Sequence, residues 1–97
     1  MANQELSIDI TTHAMERLRE RLGVPEIACE RMALSAYVRG ARPPAFKGSM
    51  RRYLGQRLNK LKHYNAANDL AVYAGFLYFF KDRKLITVYS IPRGLRE

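Results

Sequence analysis

One cysteine, two histidines and no tryptophan stand in this sequence. Each scarcity excludes something. Cys29 has no second cysteine to bridge to, so the fold cannot lean on an internal disulfide. Two distant histidines, His13 and His63, with one thiol give no paired ligand spacing, and no metal or other cofactor is expected. No glycine-rich run of the phosphate-cradling kind occurs. No apolar stretch approaches the roughly 20 residues that span a bilayer, so no membrane partner is expected. The opening MANQELSIDITT lacks a basic region followed by an apolar run, so a secretory leader is not expected either. A reducing cytoplasm is the expected setting. Cys29 lies on an apolar helical face and is expected to be a small core residue rather than a reactive thiol.

Acidic residues are the scarcest relative to need. Nine Asp and Glu face seventeen Lys and Arg, for a net charge of +8. Between Arg31 and Asn68 there is no acid at all, while Arg31, Arg39, Arg42, Lys47, Arg51, Arg52, Arg57, Lys60 and Lys62 fall within that stretch. An unmixed basic region of this kind suggests a polyanion, most often nucleic acid. An acidic protein partner or a merely solvated surface are the other readings. Paired carboxylates for glycoside chemistry are excluded from this half by composition.

What is abundant is β-prone sequence near the C-terminal end. Leu70 to Ile91, LAVYAGFLYFFKDRKLITVYSI, is dominated by Val, Ile, Tyr, Phe and Thr. Ala74-Gly75 and Asp82-Arg83-Lys84 divide it, predicting strands at Leu70–Tyr73, Phe76–Lys81 and Leu85–Ser90. The short links require antiparallel neighbours. Alternation places Phe76, Tyr78 and Phe80 on one face and Leu77 and Phe79 on the other, so both faces call for cover. Leu6 to Ile10 alternates as a further edge strand.

Three helices are predicted upstream. Thr11 or Thr12 caps the first, His13 to Leu22, which stops at Gly23. His13, Arg17 and Arg21 recur at four-residue spacing and form one row on the flank of its apolar stripe. Either that row meets an anion, or His13 packs at the helix start and the arginines are solvated. Pro25 opens the second helix, which runs to Arg39 and ends at Gly40. Its stripe of Ala28, Cys29, Met32, Ala33 and Ala36 permits close packing. Pro43-Pro44 predicts an extended, non-helical connector in which Arg42 and Lys47 are placed for phosphate contact. The third helix, Met50 to His63, carries Met50, Leu54, Leu58 and Leu61 inward, with Arg51, Arg52, Arg57, Lys60 and Lys62 beside and opposite them. The expected fold is a single α+β domain over residues 1–97, about three helices on a three- to four-stranded antiparallel sheet.

The chemistry these residues suit is metal-free cleavage of RNA. It needs a base, an acid and cations on the phosphate, which His, Tyr and Arg can supply. The run Ile10-Thr11-Thr12-His13-Ala14, then Arg17 and Glu20-Arg21-Leu22-Gly23, with Val72-Tyr73, Gly75, Tyr78-Phe79-Phe80, Leu85 to Tyr89 and Pro92, resembles the BrnT-like and RelE-like toxins of the barnase–EndoU–colicin–RelE fold group. The resemblance covers roughly 40 residues at the two ends; the middle is longer than such a toxin needs. It implies a helical part on an antiparallel sheet, an RNA site on the sheet's open face, His13, Arg17 and Arg21 as motif residues, and Thr87 and Tyr89 on the site-bearing final strand. An acidic antitoxin is the partner it implies. No Lys/Arg-rich catalytic strand follows Gly75, which departs from that pattern. The expected function is therefore nucleic-acid binding, RNA favoured, with His13, Arg17, Arg21 and Tyr89 as candidate catalytic residues. The alternative is a non-catalytic phage protein that blocks a host nucleic-acid-binding or defence complex through the same basic surface.

Overall fold

The computed structural model describes residues 7–65, 67–92 and 94, and for 62–65 the backbone alone. Its elements are β1 (Asp9–Ile10), α1 (Thr12–Leu22), α2 (Glu26–Arg39), α3 (Gly48–Asn65), β2 (Asp69–Tyr73), β3 (Phe76–Lys81) and β4 (Lys84–Ser90), with a 3-10 turn at Pro43–Ala45. The fold is α+β. The sheet order is β1-β4-β3-β2. The meander β2-β3-β4 is antiparallel throughout, as short links demand. β1 instead runs parallel to β4, so the sheet is mixed rather than wholly antiparallel. The chain can return parallel there because α1, α2 and α3 all lie between the two strands in sequence, long enough for a crossover. Leu6, the expected start of β1, lies outside the described residues.

Alternation along the strands divides the interior into two cores. On one face Ala71, Tyr78, Phe80, Leu85 and Val88 pack under α1 and α2, against Ala14, Leu18, Cys29, Ala33 and Ala36. On the other, Leu70, Leu77 and Phe79 pack under α3, against Met50, Leu54 and Leu61. The sheet is thus sandwiched between helices. The open face implied by the toxin resemblance is occupied by α3, because Leu77 and Phe79 are too apolar to be left in water. A register shift at Phe79/Phe80 pairs Phe79 with Thr87 but Phe80 with Leu85. Ile86 is left over, a β-bulge in β4.

The helix ends follow the capping chemistry. Thr11 Oγ1 accepts from the Ala14 amide at 3.0 Å, and Gly23 closes α1 with φ +67°. Pro25 stands one place before α2 rather than inside it. Small residues do bring α2 close: Cys29, Ala33 and Ala36 are fully buried. A Cβ on Gly40 would stand 2.7 Å from that of Ala71, so the end of α2 passes over β2 where only glycine fits. Cys29 packs in this core, and burial pushes its thiol up from the ordinary pKa.

The connector after α2 carries the chain from one face of the sheet to the other. Ala41 pairs with Val72 on the outer edge of β2, through amide–carbonyl bonds of 3.0 and 2.8 Å. The double proline forms a 3-10 turn, where an extended path was expected. Proline's fixed φ suits that geometry, and the first residues of such a turn need no amide partner. Arg42 is the clamp. Its Nε and Nη2 donate to the two Asp69 carboxylate oxygens at 3.1 and 2.8 Å. Its Nη1 donates to Ala36 and Gly40 carbonyls, and Nη2 also to that of Tyr37. All five N–H donors of the guanidinium are used.

Two predictions follow from this packing. Arg42→Ala should cost about 2–3 kcal/mol, since it strands helix-end carbonyls and a partly buried carboxylate. Arg42→Lys should recover little, because an ammonium cannot reproduce the fork; thermal unfolding of both variants reads this out. Tyr78 is fully buried with no partner for its hydroxyl among the described residues, and burial pushes its pKa up to about 12. The folded state therefore holds this proton after the unfolded chain has lost it, so the contribution is complete below about pH 10 and disappears as pH rises through 12. Tyr78→Phe should leave neutral stability unchanged or raise it by about 1 kcal/mol, and should flatten the loss between pH 10 and 12 in alkaline melts.

Candidate nucleic-acid interface

The expected phosphate contacts divide according to whether an acid reaches them. Arg42 is spent inside the fold, on Asp69 and three backbone carbonyls. Arg17 pairs with Glu20 one turn on, at 3.1 Å. Lys81 lies 3.8 Å from Asp82. Lys47, Arg51, Arg52 and Lys60 are exposed, and among the described residues no carboxylate bridges them. The Lys62 side chain lies outside the described residues. Among the described residues the outer surface of α3 is thus a basic strip without carboxylate partners, as the acid-free run from Arg31 to Asn68 leads one to expect.

One cluster brings residues together from three elements. Arg21, at the end of α1, reaches round the edge of β4 and donates from Nε to the Val88 carbonyl at 3.0 Å. With Thr11 Oγ1, which donates to the Ile86 carbonyl at 3.4 Å, it occupies acceptors of β4 beyond the end of two-residue β1. The Arg21 guanidinium carbon lies 5.8 Å from the centroid of the Tyr89 ring. Arg57 of α3 lies over the same ring at 4.5 Å. Phe79 meets Tyr89 edge-on at 5.8 Å, fixing the ring from the sheet side. Two cations therefore converge on one aromatic ring, and neither has a carboxylate partner among the described residues. Each cation–π contact contributes on the order of 1 kcal/mol. The Arg57 Nε is buried without a hydrogen-bond partner among the described residues. Thr87, two residues back on the same strand face, is 1 % exposed, and its hydroxyl also has no hydrogen-bond partner among the described residues.

The candidate catalytic residues are not all gathered there. Arg21 and Tyr89 meet. His13 is exposed in the first turn of α1, and its place eight residues before Arg21 puts it about 12 Å away along the helix. Arg17 lies between them and is engaged by Glu20. The contribution of Arg57 to this cluster, rather than to the outer strip, was not foreseen. Its signal was present: Arg57 directly precedes Leu58 and follows Leu54 by three, which places it beside the buried stripe.

Among the described residues no group of three or more His, Cys, Asp or Glu could hold a metal. No helix among them is long and apolar enough to cross a membrane. No family model, curated protein or solved structure matches this chain.

An anion seated between Arg21 and Arg57 should stabilise the fold. Inorganic phosphate at about tenfold its Kd should add about 1.4 kcal/mol relative to chloride at matched ionic strength. Arg57→Gln should remove that increment in a thermal-shift series, while leaving the general effect of salt.

Proposed function

We propose that the protein binds RNA, gripping the phosphate backbone through Arg21 and Arg57 at Tyr89 and through the basic strip of α3. The carrying observation is the convergence of two unneutralised guanidiniums on one ring, from α1 and α3, at the margin of β4. Two guanidiniums at one ring, with no acid beside them among the described residues, favour an anion. Phosphate suits guanidinium best, because the planar fork matches two of its oxygens. The absence of any acid from Arg31 to Asn68 supports a polymeric rather than a single anion. A lone, buried thiol and the absence of a membrane-crossing helix among the described residues fit a cytoplasmic setting.

The toxin-like reading adds metal-independent cleavage. The α+β layout is compatible with it, and Arg21 beside Tyr89 supplies a cation and a phenol. Among the described residues no contact joins His13 to that pair, which argues for binding first. A second reading, a non-catalytic protein that blocks a host complex or meets an acidic antitoxin through the same basic surface, has an apolar surface to add to it. On α2, Ile27 and Val38 are exposed, and a shallow apolar groove runs along Leu22, Val24, Ala28 and Met32 beside Arg31. Exposed apolar area with a cationic rim is what protein partners cover.

Fluorescence anisotropy with a labelled single-stranded RNA tests the proposal, with the same samples run on a gel for cleavage. Arg21→Gln and Arg57→Gln should each weaken binding about tenfold, or about 1.4 kcal/mol, and the double variant should lose less than the sum if both grip one phosphate. Wild-type affinity in the double variant would sink the clamp. Products that vanish in a folded His13→Ala protein would make it a ribonuclease; no products would leave it a binder.

A further inference from the structure

The exposed face of α3 has an unexplained glycine. Gly23, Gly48 and Gly75 have positive φ, and Gly40 has Ala71 against it. Gly55 has neither excuse. It lies in the interior of an 18-residue helix, is exposed, and a Cβ there would meet nothing within 4 Å. Glycine is the poorest ordinary helix former, and alanine would fit this position without strain. The fold gains nothing from the bare backbone.

The surroundings indicate what does. Gly55 lines a shallow, open depression together with Gly48, Arg51, Arg52, Gln56 and Asn59. Helical spacing puts 48, 51, 52, 55 and 59 on one side of α3, away from Met50, Leu54 and Leu61. Arg51 and Arg52 have no acid partner among the described residues. Gln56 and Asn59 are exposed and offer both donors and acceptors. A glycine at the centre of such a surface lets another backbone approach the helix more closely than any side chain would allow.

We infer that Gly55 is the close-approach point for a sugar–phosphate backbone, which crosses α3 there between Arg51 and Arg52 on one side and Gln56 and Asn59 on the other. The inference rests on the RNA-binding reading and extends it to a second surface, since Arg57 lies on the flank of α3 that faces Tyr89. It assigns Gly55 to recognition rather than to folding. A side chain at this position lifts the strand off the arginines, so the fold gains stability while the complex loses it.

The test uses the full chain with Gly55→Ala and Gly55→Leu, both better helix formers than glycine. Melting temperature should rise by about 4 °C or more in each. Affinity for a single-stranded RNA of the same sequence should fall about fivefold for alanine and further for leucine. Stabilised variants that bind RNA as tightly as the wild type would overturn the inference while leaving the Arg21–Arg57 clamp standing. A lowered melting temperature would contradict the open-space premise and overturn it equally. A wild-type protein that binds no RNA defeats both readings at once.

Discussion

The arrangement of layers depends on one guanidinium. Arg42 joins the end of α2 to the start of β2 by filling all five of its donors with Asp69 and three carbonyls. It does so where the chain leaves the α1/α2 side of the sheet and crosses to the α3 side. The adjoining Ala41–Val72 pair covers the outer edge of β2 at the same place. The Ala36 carbonyl also accepts the Gly40 amide, so it is the Tyr37 and Gly40 carbonyls at the helix end that lean on Arg42, and leaving them without it would be costly. The nearest acid-free stretch of sequence thus spends its first loop arginine on architecture. The arginines that follow, on α3, are left for solvent or a partner.

That division gives the electrostatics its meaning. A net charge of +8 alone says only that the protein will be drawn to anions. The structure distinguishes cations that are neutralised from those that are not. Arg17, Arg42 and Lys81 have carboxylates. Arg21 and Arg57 have a tyrosine ring and, among the described residues, no acid. Arg21 is held by the Val88 carbonyl at its Nε and Arg57 by the Tyr89 ring, so less side-chain entropy remains to be lost when an anion arrives. The β-bulge at Ile86 lies beside this region, between the strand end paired with β1 and the Thr87–Tyr89 segment. Bulges of this kind re-aim the side chains that follow them.

Much of the fold was legible in the sequence because its local signals agree. Thr11, Gly23 and Gly40 mark helix ends, Ala74-Gly75 and Asp82 mark turns, and period-two alternation in Phe76–Lys81 places the aromatics on two faces. The parallel pairing of β1 was not legible, since two residues carry no directional signal. The 3-10 turn at Pro43–Ala45 was hidden because two prolines read equally as extended chain. For the site, Arg21 and Tyr89 were recognisable as candidates, but from a helix row and a family resemblance. Their meeting with Arg57 depends on α3 covering the second sheet face, which no local pattern specifies. Arg42 was read as a phosphate contact because a loop arginine and a structural one look alike until Asp69 is placed beside it.

The central claim is that the unpaired cations of this protein face a polyanion. The most direct measurement is RNA affinity across a salt series, from about 50 to 200 mM, plotted as log K against log salt concentration. Several phosphate contacts require a steep negative slope, with about 0.7 per contact for a single strand. A flat line, or no binding at the lowest salt, would contradict the account and turn the basic surface toward an acidic protein.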